Sequence, residues 1–201
     1  ALEWFANALC PELEGAKQSV LSLLDQEAAA VRPGAQGLFF LPYLAGERTP
    51  HADPLARGCF VGLTLHHSRG HLTRSILEGV GFALRDSLEI LRGLDVPVRR
   101  VRMSGGGARS ELWRQVLADQ LGCRVRTLRA EEGPAFGVAL LAAVAAGEYR
   151  DIREACAATI QTASENRPDP SARREYNQRF PVFQQLYRSL REDFRRISEL
   201  T

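Results

Sequence analysis

The chain has 201 residues, 45% hydrophobic and 25% charged, the balance of an ordinary globular domain and not of a disordered or collagenous chain. Its 26 basic and 24 acidic residues leave a net charge of +2 without a long single-sign block, which argues against nucleic acid or an anionic membrane as the main partner. Lys17 is the only lysine, so the chain holds neither a P-loop nor the strand lysine of a protein kinase.

From the amino end, Glu14 to Val31 reads as a helix with Val20, Leu24, Ala28 and Val31 on one stripe and Pro33-Gly34 as its stop. Leu38 to Leu41, an apolar run between Gly37 and Pro42, reads as a buried strand. Ala45 to Arg57 is turn-rich and polar, a long loop of the kind that carries function, and Cys59 to Thr64 reads as a second strand. A long helix spans Ser68 to Arg92, with Leu72, Ile76, Val80, Ala83 and Leu91 on its apolar face. Val98 to Met103 is a strand that leads through Ser104-Gly105-Gly106-Gly107 into a helix over Ser110 to Leu121, closed by Gly122. Arg124 to Leu128 gives a short strand, and Gly133-Pro134 opens a helix over Ala135 to Ala146, where proline loses nothing in the first turn. A short helix over Asp151 to Gln161 and a polar linker over Thr162 to Pro170 follow. In the tail, Tyr176, Phe180, Phe183, Tyr187, Leu190, Phe194 and Ile197 recur at steps of four and three, an amphipathic helix with room for a bend before Pro181. Such stripes usually pack on their own domain; binding a partner is the other reading. Strands alternating with helices give an α/β fold, a parallel or mixed sheet flanked by helices.

The strongest local signal is Ser104-Gly105-Gly106-Gly107-Ala108-Arg109-Ser110 between a strand and a helix. Three glycines clear the turn of side chains, and the amide-rich start of the next helix favours phosphate. Open α/β sheets bind ligands beyond strand carboxyl ends, where this turn falls. A tight turn with no ligand remains the competing reading. It is not a dinucleotide fingerprint, because the G-x-G-x-x-G spacing is unmet and Val125 to Arg129 carries no acidic residue. Gly133-Pro134-Ala135-Phe136-Gly137 is a second small-residue segment, suited to a ligand or, more often, to close packing.

His66, His67 and His71 lie close together without a third ligand at metal spacing and read as loop or helix-start residues, with no metal site. His51 shares its loop with Glu47, Arg48 and Asp53, where acid–base work is conceivable but nothing orients the group. Ser104 lacks a nucleophile elbow. Cys10, Cys59, Cys123 and Cys156 are scattered and read as reduced, half-buried hydrophobes, as in a cytoplasmic protein. No apolar run is long enough for a bilayer and no signal peptide is visible. The sole methionine, Met103, and an opening at Ala1 set the expectation of a removed leader or a piece of something longer.

Gly58-Cys59-Phe60-Val61-Gly62-Leu63, then seven residues, then His71-Leu72-Thr73-Arg74-Ser75-Ile76-Leu77-Glu78 resembles the second signature of the FGGY carbohydrate kinases. Leu41-Pro42-Tyr43-Leu44-Ala45-Gly46-Glu47-Arg48-Thr49-Pro50-His51 and Ser104 through Gln115 are similar to the xylulokinase branch of that family, and the likeness runs from Leu2 to Phe194. Gluconate kinases resemble it closely but usually carry alanine at the position of Thr49 and lack His51.

The resemblance implies an actin- and hexokinase-type ATPase fold of two ribonuclease H-like lobes, with sugar held mainly by the first and ATP by the second. It places Gly105, Gly106 and Gly107 against ribose and phosphates, and Ala108, Arg109, Ser110 and Glu111 near adenine. It implies ATP and Mg²⁺ as cofactors and phosphorylation of a ketopentose, D-xylulose at its 5-hydroxyl. Residues 1–201 then correspond to most of the C-terminal lobe, without its opening β-hairpin and without the sugar-binding lobe that holds the catalytic aspartate. No residue here matches that aspartate, so none is assigned as catalytic, and the isolated chain is expected to be inactive. A homodimer is left open. A non-catalytic nucleotide-binding module of the same fold, or a gluconate kinase, are the alternatives.

Overall fold

Helices α1 (Leu2–Leu9) and α2 (Val20–Ala29) open the chain. The computed structural model describes residues 1–13, 15, 18–129 and 133–200. Sequence periodicity did not anticipate α1, which buries Phe5 and Ala6 in a cluster with Cys10, Leu24, Phe40 and Ile76. The helix expected over Glu14 to Val31 is shorter. Gly15 sits at φ +83, outside helical space, and Ser19 caps α2 by accepting from the Ser22 N–H. Glu14, Ala16 and Lys17 lie outside the described residues.

Strand β1 (Phe39–Leu41) pairs antiparallel with β2 (Cys59–Val61), with Phe40 opposite Phe60. The long helix α3 (Arg69–Gly93) follows, started by a reciprocal cap between Ser68 and His71. A second sheet has the order β3 (Arg100–Met103), β4 (Arg124–Leu128), β5 (Thr162–Asn166). β3 runs parallel to β4, and β4 antiparallel to β5, so this sheet is mixed. Helix α4 (Glu111–Leu121) connects β3 to β4. Helices α5 (Gly133–Ala145) and α6 (Ile152–Thr159) separate β4 from β5.

The linker expected over Thr162 to Pro170 is therefore wrong in its first half. Thr-Ala-Ser-Glu-Asn shows no apolar alternation, because it is an edge strand held by polar pairs. Thr127 and Ser164 share a hydroxyl hydrogen bond of 2.7 Å, and Arg126 Nε donates to Glu165 at 2.5 Å.

Helix α7 (Pro170–Glu199) is capped by Asp169, which accepts from the Ser171 and Ala172 N–H groups, and it runs uninterrupted through Pro181. Its Tyr176, Phe180, Phe183, Tyr187 and Phe194 are buried against Leu41, Tyr43, Ala56, Phe82 and Val116. The stripe serves the domain's own core. Glu78 pins the same interface: one carboxylate oxygen accepts from the Gly34 N–H at 2.9 Å, Arg74 Nε at 2.7 Å and Tyr176 Oη at 2.8 Å. Burial disfavours the Arg74 charge, but Tyr176 and Glu78 outweigh it and hold the guanidinium protonated. Among the described residues no helix is long and apolar enough to cross a membrane.

Candidate functional site

The parallel strands β3 and β4 end side by side at Met103 and Leu128, and a cleft of about 470 Å³ opens beyond their carboxyl ends. Its walls are Met103 and Ser104 from the end of β3, Gly105, Gly106, Ala108 and Arg109 from the turn, Thr127, Leu128 and Arg129 from β4, and Ala163 from β5. Four of the seven residues expected around a nucleotide thus line it: Gly105, Gly106, Ala108 and Arg109. Gly107, Ser110 and Glu111 do not.

The local conformation explains the division. Gly105 has φ +79 and ψ −171, a region that only glycine occupies without strain. Gly106 faces open space, with nothing within 4 Å of where a Cβ would sit. Gly107 faces the other way, and a Cβ there would drive into the indole of Trp113. Gly106 to Arg109 form a 3-10 turn, so α4 does not start at the glycines. It starts behind Ser110, whose Oγ accepts from the Trp113 N–H at 2.9 Å and donates to Asp25 at 2.6 Å. Ser110 is spent on capping and on holding α2.

The β4 side of the cleft was not named from sequence, although the rule that ligands lie beyond strand carboxyl ends applies to it equally. Ala163 gave no signal, because its strand read as a linker. Among the described lining residues the only charges are Arg109 and Arg129, while Met103, Leu128 and Ala163 add apolar surface. Such a wall suits a ligand with an apolar ring and an anionic tail. Among the described residues that line it there is no carboxylate and no imidazole. Among the described residues no cluster of three metal-ligating side chains occurs.

The other candidates lie elsewhere. His51 stacks on Tyr187 at 3.7 Å between ring centroids, and its Nε2 is 3.9 Å from Asp86 Oδ2. Burial pushes the imidazole below its usual value, against the pull of Asp86 and Asp53. Asp53 accepts from Tyr187 Oη at 2.9 Å. Burial pushes its pKa up, yet the hydrogen bonds from Tyr187 and the Leu55 amide, with Arg191 nearby, leave it below the usual range. Glu47 accepts from the Thr49 N–H and pairs by backbone with Asp53. This constellation closes the 45–57 loop onto α3 and α7; it does not reach the cleft. His67 accepts from the Thr64 N–H and His71 caps α3, so both serve the helix start. All four cysteines carry free thiols, and burial raises those of Cys10, Cys59 and Cys123. Gly137 has nothing within 4 Å of its Cβ direction, so the expected close packing is not seen there.

Residues 1–146 match the model of the C-terminal domain of the FGGY family of carbohydrate kinases. The chain belongs to that family. It is 37% identical over 187 residues to the xylulose kinase of Bacillus subtilis, covering 93% of this chain and 36% of that protein. The gluconokinase of Bacillus licheniformis is 35% identical over 202 residues, covering 98% of this chain and 39% of that protein. The crystal structure of xylulose kinase from Rhodospirillum rubrum superposes with a TM-score of 0.84 at 36% identity, over 96% of this chain and 38% of that one. The FGGY chain described here thus spans little more than a third of the length of these relatives, and its fold is the actin- and hexokinase-like architecture of the FGGY sugar kinases.

Proposed function

We propose that this FGGY chain supplies the nucleotide-binding part of a sugar kinase that transfers a phosphoryl group from ATP to a ketopentose, D-xylulose at its 5-hydroxyl. The observation that carries this reading is the cleft at the ends of β3 and β4, with a wall of bare glycine backbone and two arginines. Gly106 lets phosphate oxygens reach the backbone, Arg129 offsets their charge together with Arg109, which the family resemblance set nearer adenine, and Met103, Leu128 and Ala163 take the base. Phosphoryl transfer needs chiefly such positioning and charge neutralisation. No group that could take the proton of the sugar hydroxyl is among the described residues lining this cleft, which fits a chain equivalent to most of the C-terminal lobe working with a separate sugar-binding lobe. Mg²⁺ enters only as the ion the phosphates carry, and no step is assigned to it.

Xylulose is favoured over gluconate by Thr49 and His51, positions at which gluconate kinases differ. Gluconate is the second reading, because a gluconokinase matches 98% of the chain and neither residue lines the cleft.

Calorimetric titration of ATP against the chain and against Gly106→Asp tests the nucleotide site. The open space beside Gly106 accommodates the new side chain, and its carboxylate meets the phosphates. Affinity is expected to fall at least about tenfold, equivalent to roughly 1.4 kcal/mol. Equal affinity would mean that the turn is only a turn. The chain alone is expected to phosphorylate no xylulose, and measurable turnover would contradict the division of labour between lobes.

A further inference from the structure

Arg114 stands in the first turn of α4 and does not line the cleft, yet it grips the wall from behind. Its Nη1 donates to the Ala108 carbonyl at 2.6 Å, and its Nε donates to Asn166 Oδ1 at 3.2 Å. Ala108 belongs to the glycine turn and Asn166 ends β5, so one rigid guanidinium ties the turn to the edge strand of the sheet. The tie continues beyond Asn166. Asn166 Nδ2 donates to Gln115 Oε1 at 3.1 Å, and Gln115 Nε2 donates to Asp119 Oδ1 at 2.8 Å and to the Arg167 carbonyl at 2.8 Å. Asp119 also accepts from the Asp169 N–H at 2.7 Å, and Asp169 is the cap of α7.

Besides the bonds within the 3-10 turn itself, backbone bonds run from the Ala108 N–H to the Gly105 carbonyl at 3.1 Å and from the Ser110 N–H to the Gly107 carbonyl at 3.3 Å. Three consecutive glycines have the largest conformational freedom to lose; a Cβ at Gly105 or Gly106 would meet nothing within 4 Å, whereas one at Gly107 would meet Trp113. Because a peptide unit is planar, fixing the Ala108 carbonyl fixes the whole unit between Ala108 and Arg109, both of which line the cleft.

We infer that Arg114 is a positioning residue for nucleotide binding, one that acts through the Ala108 carbonyl to hold the glycine turn in its ligand-ready shape. This rests on the nucleotide reading of the cleft given above. Without Arg114 the turn must be ordered by the ligand itself, and that cost appears as lost affinity.

Trp113 provides the readout, since its indole lies against Gly107. The only other tryptophan is Trp4, and Trp4→Phe leaves Trp113 as the sole reporter of the turn. In that background MgADP is titrated against Arg114, Arg114→Lys and Arg114→Met, following Trp113 emission, with the thermal midpoint measured alongside. Arg114→Met is expected to bind MgADP about tenfold more weakly. Arg114→Lys, which can reach the carbonyl but not fork to Asn166, is expected to recover part of the loss. Equal affinity for Arg114→Met and its parent overturns the inference while leaving the nucleotide site standing. Arg114→Met losing affinity only in step with a collapsed thermal midpoint, with no recovery in Arg114→Lys, also overturns it, because the role would then be structural. If the parent binds no MgADP, the nucleotide reading fails and this inference fails with it.

Discussion

Gly105, Gly106 and Gly107 are adjacent in sequence and are held by three different constraints: a backbone region closed to other residues, an open wall, and an indole in contact. The first two were legible, since a glycine run after a strand announces both positive φ and bare backbone. The third was not, because the residue opposite Gly107 is chosen by how α4 packs. Asp86 shows the same limit. It reads as one more charge on a helix, yet it is 5% exposed, its Oδ1 accepts from Gln184 at 2.7 Å, and its Oδ2 has no hydrogen-bond partner. Burial raises its carboxyl above the usual range, opposed by Gln184 and by the charges of His51 and Arg188. A raised native value means that the native state holds the proton more tightly. The associated stability is complete below the unfolded value and is lost as pH rises through the native one. Above the native value the ionised group therefore costs stability. Asp86→Asn keeps the acceptor for Gln184 and offers a donor to His51 Nε2. It is expected to stabilise the chain at pH 7 by about 1 kcal/mol, or ~2–4 °C in Tm. The advantage should shrink on acidification, as Asp86 becomes neutral in the parent and His51 begins to charge. Thermal melts between pH 7 and pH 4 check this; a gap that widens towards acid would contradict it.

At the scale of elements, the aromatic stripe of α7 declared itself by spacing, whereas β5 and α1 did not. β5 is polar on both faces and is a strand only because β4 offers it an edge. α1 has eight residues, below the length at which a helix holds alone, and owes its order to Phe5 packing beside Leu24. What seats α7 on α3 is apolar burial around one polar knot, Arg74–Glu78–Tyr176. Tyr176 Oη donates to Glu78 and accepts from Arg74 Nη2 at 2.8 Å, so its removal leaves both buried groups a partner short. Tyr176→Phe, which keeps the ring among Phe82, Phe180 and Phe183, is expected to cost about 1–3 kcal/mol. Urea denaturation reads the loss as a lower midpoint at unchanged slope. An unmoved midpoint would show that the hydroxyl contributes nothing.

For the molecule as a whole, the strand–helix alternation foretold a parallel or mixed sheet flanked by helices, and the β3-β4-β5 sheet is mixed. It did not separate off the small β1-β2 sheet, whose strands of three residues are too short to show which partner they take. The arrangement brings the ends of two parallel strands, one glycine turn and one edge strand around a single cleft, with the His51 loop and its polar cluster outside it. The proposed function requires adenine nucleotide to bind in that cleft. Amide chemical-shift mapping of the ¹⁵N-labelled chain during an MgADP titration tests it most directly. The predicted result is shifts concentrated at Gly105, Gly106, Ala108 and Arg109, and at Thr127 to Arg129. Shifts confined to the 45–57 loop, or none at millimolar MgADP, would contradict it.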